Sequence, residues 1–178
     1  MIFSSRGLKS LYNLEIVLKA IPSVISSEKH VKFVFASHIL GFMEKYGSLI
    51  KQLGIEDNVI LAGQLNHTET MPYFCKDADV MVSVPSSDSS PLSVYEAMAC
   101  KTPVIISDLS WYEGKFEKDR DMIVVPARDV EKLAAAIIQV LNGERMVDVD
   151  SAYQKVYKNI NFEIENRKLE KLYEKILS

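Results

Sequence analysis

Val84-Pro-Ser-Ser-Asp88-Ser-Ser-Pro91-Leu-Ser-Val-Tyr-Glu96-Ala-Met-Ala-Cys100-Lys-Thr-Pro103-Val-Ile-Ile-Ser-Asp108 is the stretch from which the fold can be read. The run leading into it, Val80-Met-Val-Ser-Val84, is rich in β-branched residues and too short for a helix, which predicts a buried strand. Val104-Ile-Ile106 predicts another. Between them the residues from Pro91 to Cys100 predict a helix, with Pro91 suited to the first helical turn, where a missing N–H costs nothing. Strand, helix and strand in that order make a crossover between parallel strands, and such crossovers are right-handed.

The same alternation extends in both directions. Val31-Lys-Phe-Val-Phe-Ala36, Val59-Ile-Leu-Ala62 and Met122-Ile-Val-Val125 predict further buried strands, and Ile2-Phe3 a short first one. Helical periodicity begins at Asn13 and runs through Leu14, Val17, Leu18 and Ile21; further helices are predicted near 42–53, 68–77 and 129–142. Asp129 is an N-cap candidate for the last of these and Asn142-Gly143 its stop. Continuous apolar strands between helices predict an α/β fold: a Rossmann-like parallel sheet covered by helices on both faces. Residues 1–150 form this domain. The tail from 151 to 178 predicts two helices, one presenting Tyr153, Val156, Tyr157 and Ile160, the other Leu169, Leu172, Tyr173 and Ile176. These apolar faces require cover, from the domain itself or from a half not present.

Composition removes several classes of function. With 178 residues, 48% of them hydrophobic, the chain suits one domain with a full core. A net charge of -3 without long runs of either sign provides no nucleic-acid groove and no strongly basic membrane face. Cys75 and Cys100 are too few for a disulfide scaffold and lack paired zinc spacing; both are expected to be reduced and buried. No stretch is apolar over the ~20 residues a membrane helix needs, and the first residues do not form a signal peptide, so a cytoplasmic protein is expected, with peripheral attachment to the inner face of a membrane left open.

In an open parallel sheet ligands bind beyond the carboxyl ends of the strands, where strand order reverses, so the loops Ser4–Tyr12, Ser37–Gly41, Gly63–His67, Pro85–Leu92 and Ser107–Gly114 are where function is sought. The quoted stretch is the richest of them. Unpaired N–H groups at its helix start, around Leu92 and Ser93, can receive a phosphate oxygen. Asp88 before the helix and Glu96 within it provide carboxylates of the kind that hold sugar and ribose hydroxyls. Taken alone, they also read as a turn residue and a solvated helix residue. The apolar surroundings of Glu96, from Ala97 to Ala99 and Thr102 to Val104, disfavour an acid without a partner.

The segment Pro85-Ser-Ser-Asp88…Pro91…Glu96-Ala-Met-Ala-Cys100…Pro103-Val-Ile-Ile-Ser-Asp108 resembles the donor-site motif of family 4 glycosyltransferases, retaining enzymes of the GT-B fold. Ser5-Arg6 with Tyr12-Asn13, Asp57-Asn-Val-Ile-Leu-Ala-Gly63 and Asp77-Ala-Asp79 extend the resemblance over nearly the whole chain, as the C-terminal half of that fold. The resemblance implies transfer of a hexose from a nucleoside-diphosphate sugar, as donor substrate, to an acceptor hydroxyl, with no metal or other cofactor. It implies that Glu96 holds the ribose and Asp88 a donor-sugar hydroxyl. Arg6, helped by Lys9, would neutralise the diphosphate, the amides of Leu92 and Ser93 would hold a phosphate, and the Gly63–Leu65 loop would lie near the base. The acceptor, a sugar or lipid-linked sugar, would sit on an N-terminal half absent from this chain, so the isolated chain is expected to bind donor without transferring sugar. The sequence departs from the family at Asp88 (usually Glu), Ser89 and Lys101 (usually Gly) and Tyr12 (usually a phosphate-binding Lys). The loop Ser37–Gly41 lacks the usual Gly-x-Gly, so a less close approach to ligand is expected there. Two other readings stay open: a non-catalytic nucleotide-sugar-binding module, and half of a sugar-nucleotide epimerase.

Overall fold

A computed structural model describes residues 1–177. The strands β1 (Ile2–Ser4), β2 (Phe33–Phe35), β3 (Val59–Leu61), β4 (Val80–Ser83), β5 (Val104–Ser107) and β6 (Ile123–Val125) form one sheet in the order β3-β2-β1-β4-β5-β6. Every pairing is parallel, with Ile2 aligned to both Phe33 and Val80, Met81 to Val104 and Ile105 to Ile123. The helices are α1 (Leu14–Ser27), α2 (Ile39–Leu53), α3 (Met71–Asp77), α4 (Leu92–Ala99), α5 (Val130–Leu141), α6 (Val149–Asn159) and α7 (Phe162–Leu177). From β1 the chain builds outward through β2 and β3, then returns to place β4 on the other side of β1. The loops leaving β1 and β4 therefore diverge and open a crevice between them.

Strand side chains alternate between two apolar cores, which is why these strands read as uninterrupted hydrophobic runs. Ile2, Phe33, Val82 and Ile105 point to one face with Leu18 and Ile21 of α1, Phe42 of α2 and Ile137 of α5. Phe3, Val34, Met81 and Val104 point to the other with Met71 of α3, Met98 of α4 and Trp111. The expected α/β architecture with helices on both faces is present, and the differences lie at element ends. The α2 helix starts at Ile39 rather than near 42, because the His38 ring accepts a hydrogen bond from the Gly41 N–H at 3.1 Å and caps the helix. A Cβ on Gly41 would lie 2.9 Å from Leu8 Cδ1, so this glycine lets α2 pack against the loop after β1. The α3 helix starts at Met71 rather than 68, since Asn66 first draws the chain into a turn through its Oδ1, which accepts from the N–H groups of Thr68 and Glu69. Pro91 caps α4 from outside instead of occupying its first turn, and Leu92 is the first helical residue. Asp129 caps α5 as expected, accepting from the Lys132 N–H at 2.9 Å. Cys75 is buried, whereas Cys100 at the end of α4 is only half-buried. Burial pushes the Cys75 thiol up to about 12.

The α6 helix packs on α4, burying Ala152 and Val156. Its anchor is Asp121, which is fully buried and accepts from the Glu117 N–H (2.6 Å), Ser151 Oγ (2.7 Å) and Lys155 Nζ (2.5 Å). No residue of α7 is buried; Leu169, Leu172, Tyr173 and Ile176 all face solvent. Burial alone would raise the Asp121 carboxyl, but the Glu117 N–H, Lys155 and Ser151 together hold it below the ordinary value. A carboxyl depressed in the folded state contributes stability above its unfolded value, near pH 4, and that contribution is lost as pH falls through the folded value. Asp121→Ala should therefore cost about 3 kcal/mol at neutral pH, and the difference from wild type should shrink in acid below about pH 4, as followed by denaturant melts across pH.

Candidate functional site

Arg6 stands two residues past the end of β1 and is buried to within 9% of its surface. Its Nε donates to Ser83 Oγ on β4 at 2.6 Å, its Nη2 lies 2.9 Å from Asp88 Oδ2, and its guanidinium lies over the Tyr12 ring, 5.4 Å from the centroid. Burial pulls the Arg6 guanidinium below its ordinary value while Asp88 and Tyr12 push it back up. An arginine starts so far above neutrality that the charge persists. The ion pair spans the crevice from the β1 loop to the β4 loop. Asp88 Oδ1 accepts from the N–H groups of Ser89 and Ser90, which fixes the turn leading into α4.

Asn13, in the left-handed region at φ 53, ties the same loops together; its amide donates to the Val84 carbonyl at 2.9 Å and to Ser86 Oγ at 2.8 Å. Arg128 Nε, from the loop after β6, also donates to Ser86 Oγ, at 3.1 Å. At the start of α4, Leu92 and Ser93 occupy the first two helical positions, whose N–H groups precede the intrahelical ladder. Glu96 is one turn further on, with Oε1 held 2.8 Å from His67 Nδ1 of the β3–α3 loop. Gly63, at φ +76, turns that loop in a conformation side-chain-bearing residues avoid. Leu65 is half-buried and packs against the second apolar core. Lys9 is exposed on the loop after β1, and its carbonyl accepts from the Tyr12 N–H. One cavity of about 320 Å³ is lined by Asn13, Lys45 and Arg128, and another of about 300 Å³ by Leu92, Glu96 and Tyr153.

Among the described residues, the buried side-chain nitrogen and oxygen atoms left without a hydrogen bond are Ser4 Oγ, Ser5 Oγ, Arg6 Nη2, Asp88 Oδ2, Ser93 Oγ and Glu96 Oε2. All six belong to the end of β1 and the loop after it, the loop after β4, or α4. Arg6 Nη2 and Asp88 Oδ2 have each other's charge, but the contact is too poorly aligned to count as a hydrogen bond. Folded proteins leave few such atoms unpaired, and each costs about 1–3 kcal/mol, so the four that lack even an ionic partner, the hydroxyls of Ser4, Ser5 and Ser93 and Glu96 Oε2, mark this edge as the candidate site for a polar ligand. A cation, helix-start amides, hydroxyls and two carboxylates together suit an anion that also carries hydroxyl groups. Among the described residues no group of three or more His, Cys, Asp or Glu is placed to hold a metal ion.

The structure brings Arg6, Asp88, Leu92, Ser93 and Glu96 to one edge and the Gly63–Leu65 loop beside it, joined through His67. Sequence reasoning assigned no role to His67, Asn13, Ser83 or the unpaired hydroxyls of Ser4 and Ser5. Tyr12-Asn13 could be recognised as a motif, but the Asn13 bond to Val84 spans 71 positions and that of His67 to Glu96 spans 29, which no local pattern reveals.

Residues 1–160 match the family described as glycosyl transferases group 1. Poly(ribitol-phosphate) alpha-N-acetylglucosaminyltransferase of Staphylococcus aureus is 25% identical over 135 residues, covering 74% of this chain and 26% of that protein. Among solved structures, sucrose-phosphate synthase of Thermosynechococcus elongatus superposes with a TM-score of 0.86 at 20% identity, over 99% of this chain and 45% of that one. The pneumococcal O-GlcNAc transferase, solved with UDP and GlcNAc, superposes with a TM-score of 0.83 at 18% identity, over 99% of this chain and 35% of that one. The chain thus spans about a quarter of the length of that S. aureus relative and less than half of either structural neighbour. The fold it shares is that of a GT-B C-terminal domain.

If the unpaired atoms serve a ligand rather than the fold, removing one should be harmless to stability. Ser93→Ala should leave the unfolding free energy unchanged or raise it by up to about 1 kcal/mol. Thr102→Val removes a buried hydroxyl that donates to the Cys75 carbonyl at 2.6 Å, and should cost about 1 kcal/mol or more. Denaturant melts of the two variants side by side check the contrast.

Proposed function

Because the chain belongs to the glycosyl transferases of group 1, we propose that it is the donor-binding domain of an enzyme that transfers a hexose from a nucleoside-diphosphate sugar to an acceptor hydroxyl, with retention of configuration. The observation that carries this reading is the set of unpaired polar atoms lining the crevice between the β1 and β4 loops. In it Glu96 Oε2 receives a ribose hydroxyl, and the Leu92 and Ser93 amides receive a phosphate. Asp88 meets the donor sugar, and the loop from Gly63 to Leu65 meets the base through its backbone. Arg6 is shared between Asp88 and the diphosphate, with Lys9 adding charge from the rim. UDP is the first nucleotide to test, since it occupies the pneumococcal neighbour.

In such a transfer the glycosidic bond to the diphosphate breaks, and negative charge grows on the departing phosphate oxygen. A buried arginine and fixed N–H groups aimed at that oxygen stabilise it without having to reorganise. Residues 1–150 act as the donor domain, and 151–178 pack on it or on an acceptor-binding N-terminal half. That half brings the acceptor, a sugar or lipid-linked sugar, and the chain alone binds donor without transferring. No helix among the described residues is long and apolar enough to cross a membrane; work in the cytoplasm, at the inner face of a membrane where the acceptor is lipid-linked, fits this reading.

The two acids separate in calorimetry with UDP and UDP-glucose. Glu96→Ala should weaken both ligands by about tenfold or more, the value of a hydrogen bond to a charged group. Asp88→Ala releases Arg6 from its ion pair, so UDP affinity should hold or improve while the advantage of UDP-glucose over UDP falls by about tenfold. Equal losses of both ligands in Asp88→Ala would contradict the assignment.

A further inference from the structure

His67 lies on a loop braced from both sides. The Asn66 side chain accepts from the N–H groups of Thr68 and Glu69, and the Asn66 carbonyl accepts from those of Thr70 and Met71. From this turn the His67 ring extends into solvent, its side chain 70% exposed, yet its Nδ1 sits 2.8 Å from Glu96 Oε1 on another element. A carboxylate oxygen can only accept, so Nδ1 donates. The contact takes up Oε1, while Oε2 of the same carboxylate is buried and has no partner. An exposed contact of this kind adds little to stability, and its consequence is geometric: it fixes the torsion of the carboxylate and hence the direction in which Oε2 points.

We propose that His67 is the positioning residue of the nucleoside pocket, holding Glu96 through Oε1 so that Oε2 is presented to a ribose hydroxyl. The inference rests on the donor-site reading and adds to it a residue that links the loop beside the base to the acid beneath the ribose. Because the His67 ring is fixed by a loop that follows Gly63 and Leu65, displacement of that loop by a base is transmitted to the carboxylate that receives the ribose. His67 touches neither phosphate nor sugar in this arrangement and acts only through Glu96.

The test is calorimetry of the full chain with UDP and with 2′,3′-dideoxyuridine diphosphate, which keeps base and diphosphate but lacks the ribose hydroxyls. His67→Ala should weaken UDP by about three- to tenfold and leave the dideoxy ligand within about twofold of wild type. His67→Asn, whose amide nitrogen reaches nearly the position of Nδ1, should restore UDP affinity. In a Glu96→Ala background, His67→Ala should have no further effect on UDP. The proposal is overturned by unchanged UDP affinity in His67→Ala alongside a loss in Glu96→Ala, or by equal losses for both ligands. Failure of the wild-type chain to bind UDP, GDP or ADP would instead remove the donor-site reading, and this inference with it.

Discussion

The 2.9 Å ion pair between Arg6 and Asp88 lies at the place in the sheet where the order of the chain reverses. Both side chains are largely withdrawn from water, at 10% and 14% exposure. A buried pair of this kind gains little net stability over an apolar pair of similar volume, because desolvation consumes most of the attraction. Its effect is to bring two diverging loops together and to hold a permanent positive charge at their junction. Ser83, Tyr12 and Asn13 are arranged around that charge, and the turn built on Asp88 sets the direction from which α4 enters.

Everything beneath this edge is made to be rigid. Six parallel strands with apolar side chains on both faces leave the sheet little freedom to shift, so the positions of the loop residues follow from strand register. The polar atoms at the strand ends are treated differently from those in the core. Thr102 and Ser107 bury hydroxyls that donate to the carbonyls of Cys75 and Pro85, whereas Ser4, Ser5 and Ser93 bury hydroxyls that donate to nothing. Among the described residues, the fold thus satisfies its interior and concentrates its unsatisfied groups at one edge.

Most of this architecture was legible in the residues. The strands could be found because burial on both faces leaves an uninterrupted β-branched run, and the doubly covered parallel sheet followed from their alternation with helices. Element ends were less legible where side chains move them: His38 draws α2 forward by capping it, and Asn66 delays α3 by forming a turn first. In the candidate site, Arg6, Asp88 and Glu96 were visible because they fall within contiguous motifs around β1 and α4. His67 was not, since its partner is set by how the β3–α3 loop meets α4, a property of register and twist rather than of any local pattern. The membership of the chain in group 1 rests on the same motif-bearing span, residues 1–160.

Whether the crevice between the β1 and β4 loops receives a nucleoside diphosphate can be read from amide chemical-shift mapping of the labelled chain during a UDP titration. Saturable shifts are expected at the amides of Arg6, Leu92 and Ser93 and along the loop from Gly63 to His67, with α7 and the outer surface of α5 unaffected. Saturable binding whose shifts cluster away from those amides, or no shifts there with UDP, GDP or ADP, would contradict the donor-site reading.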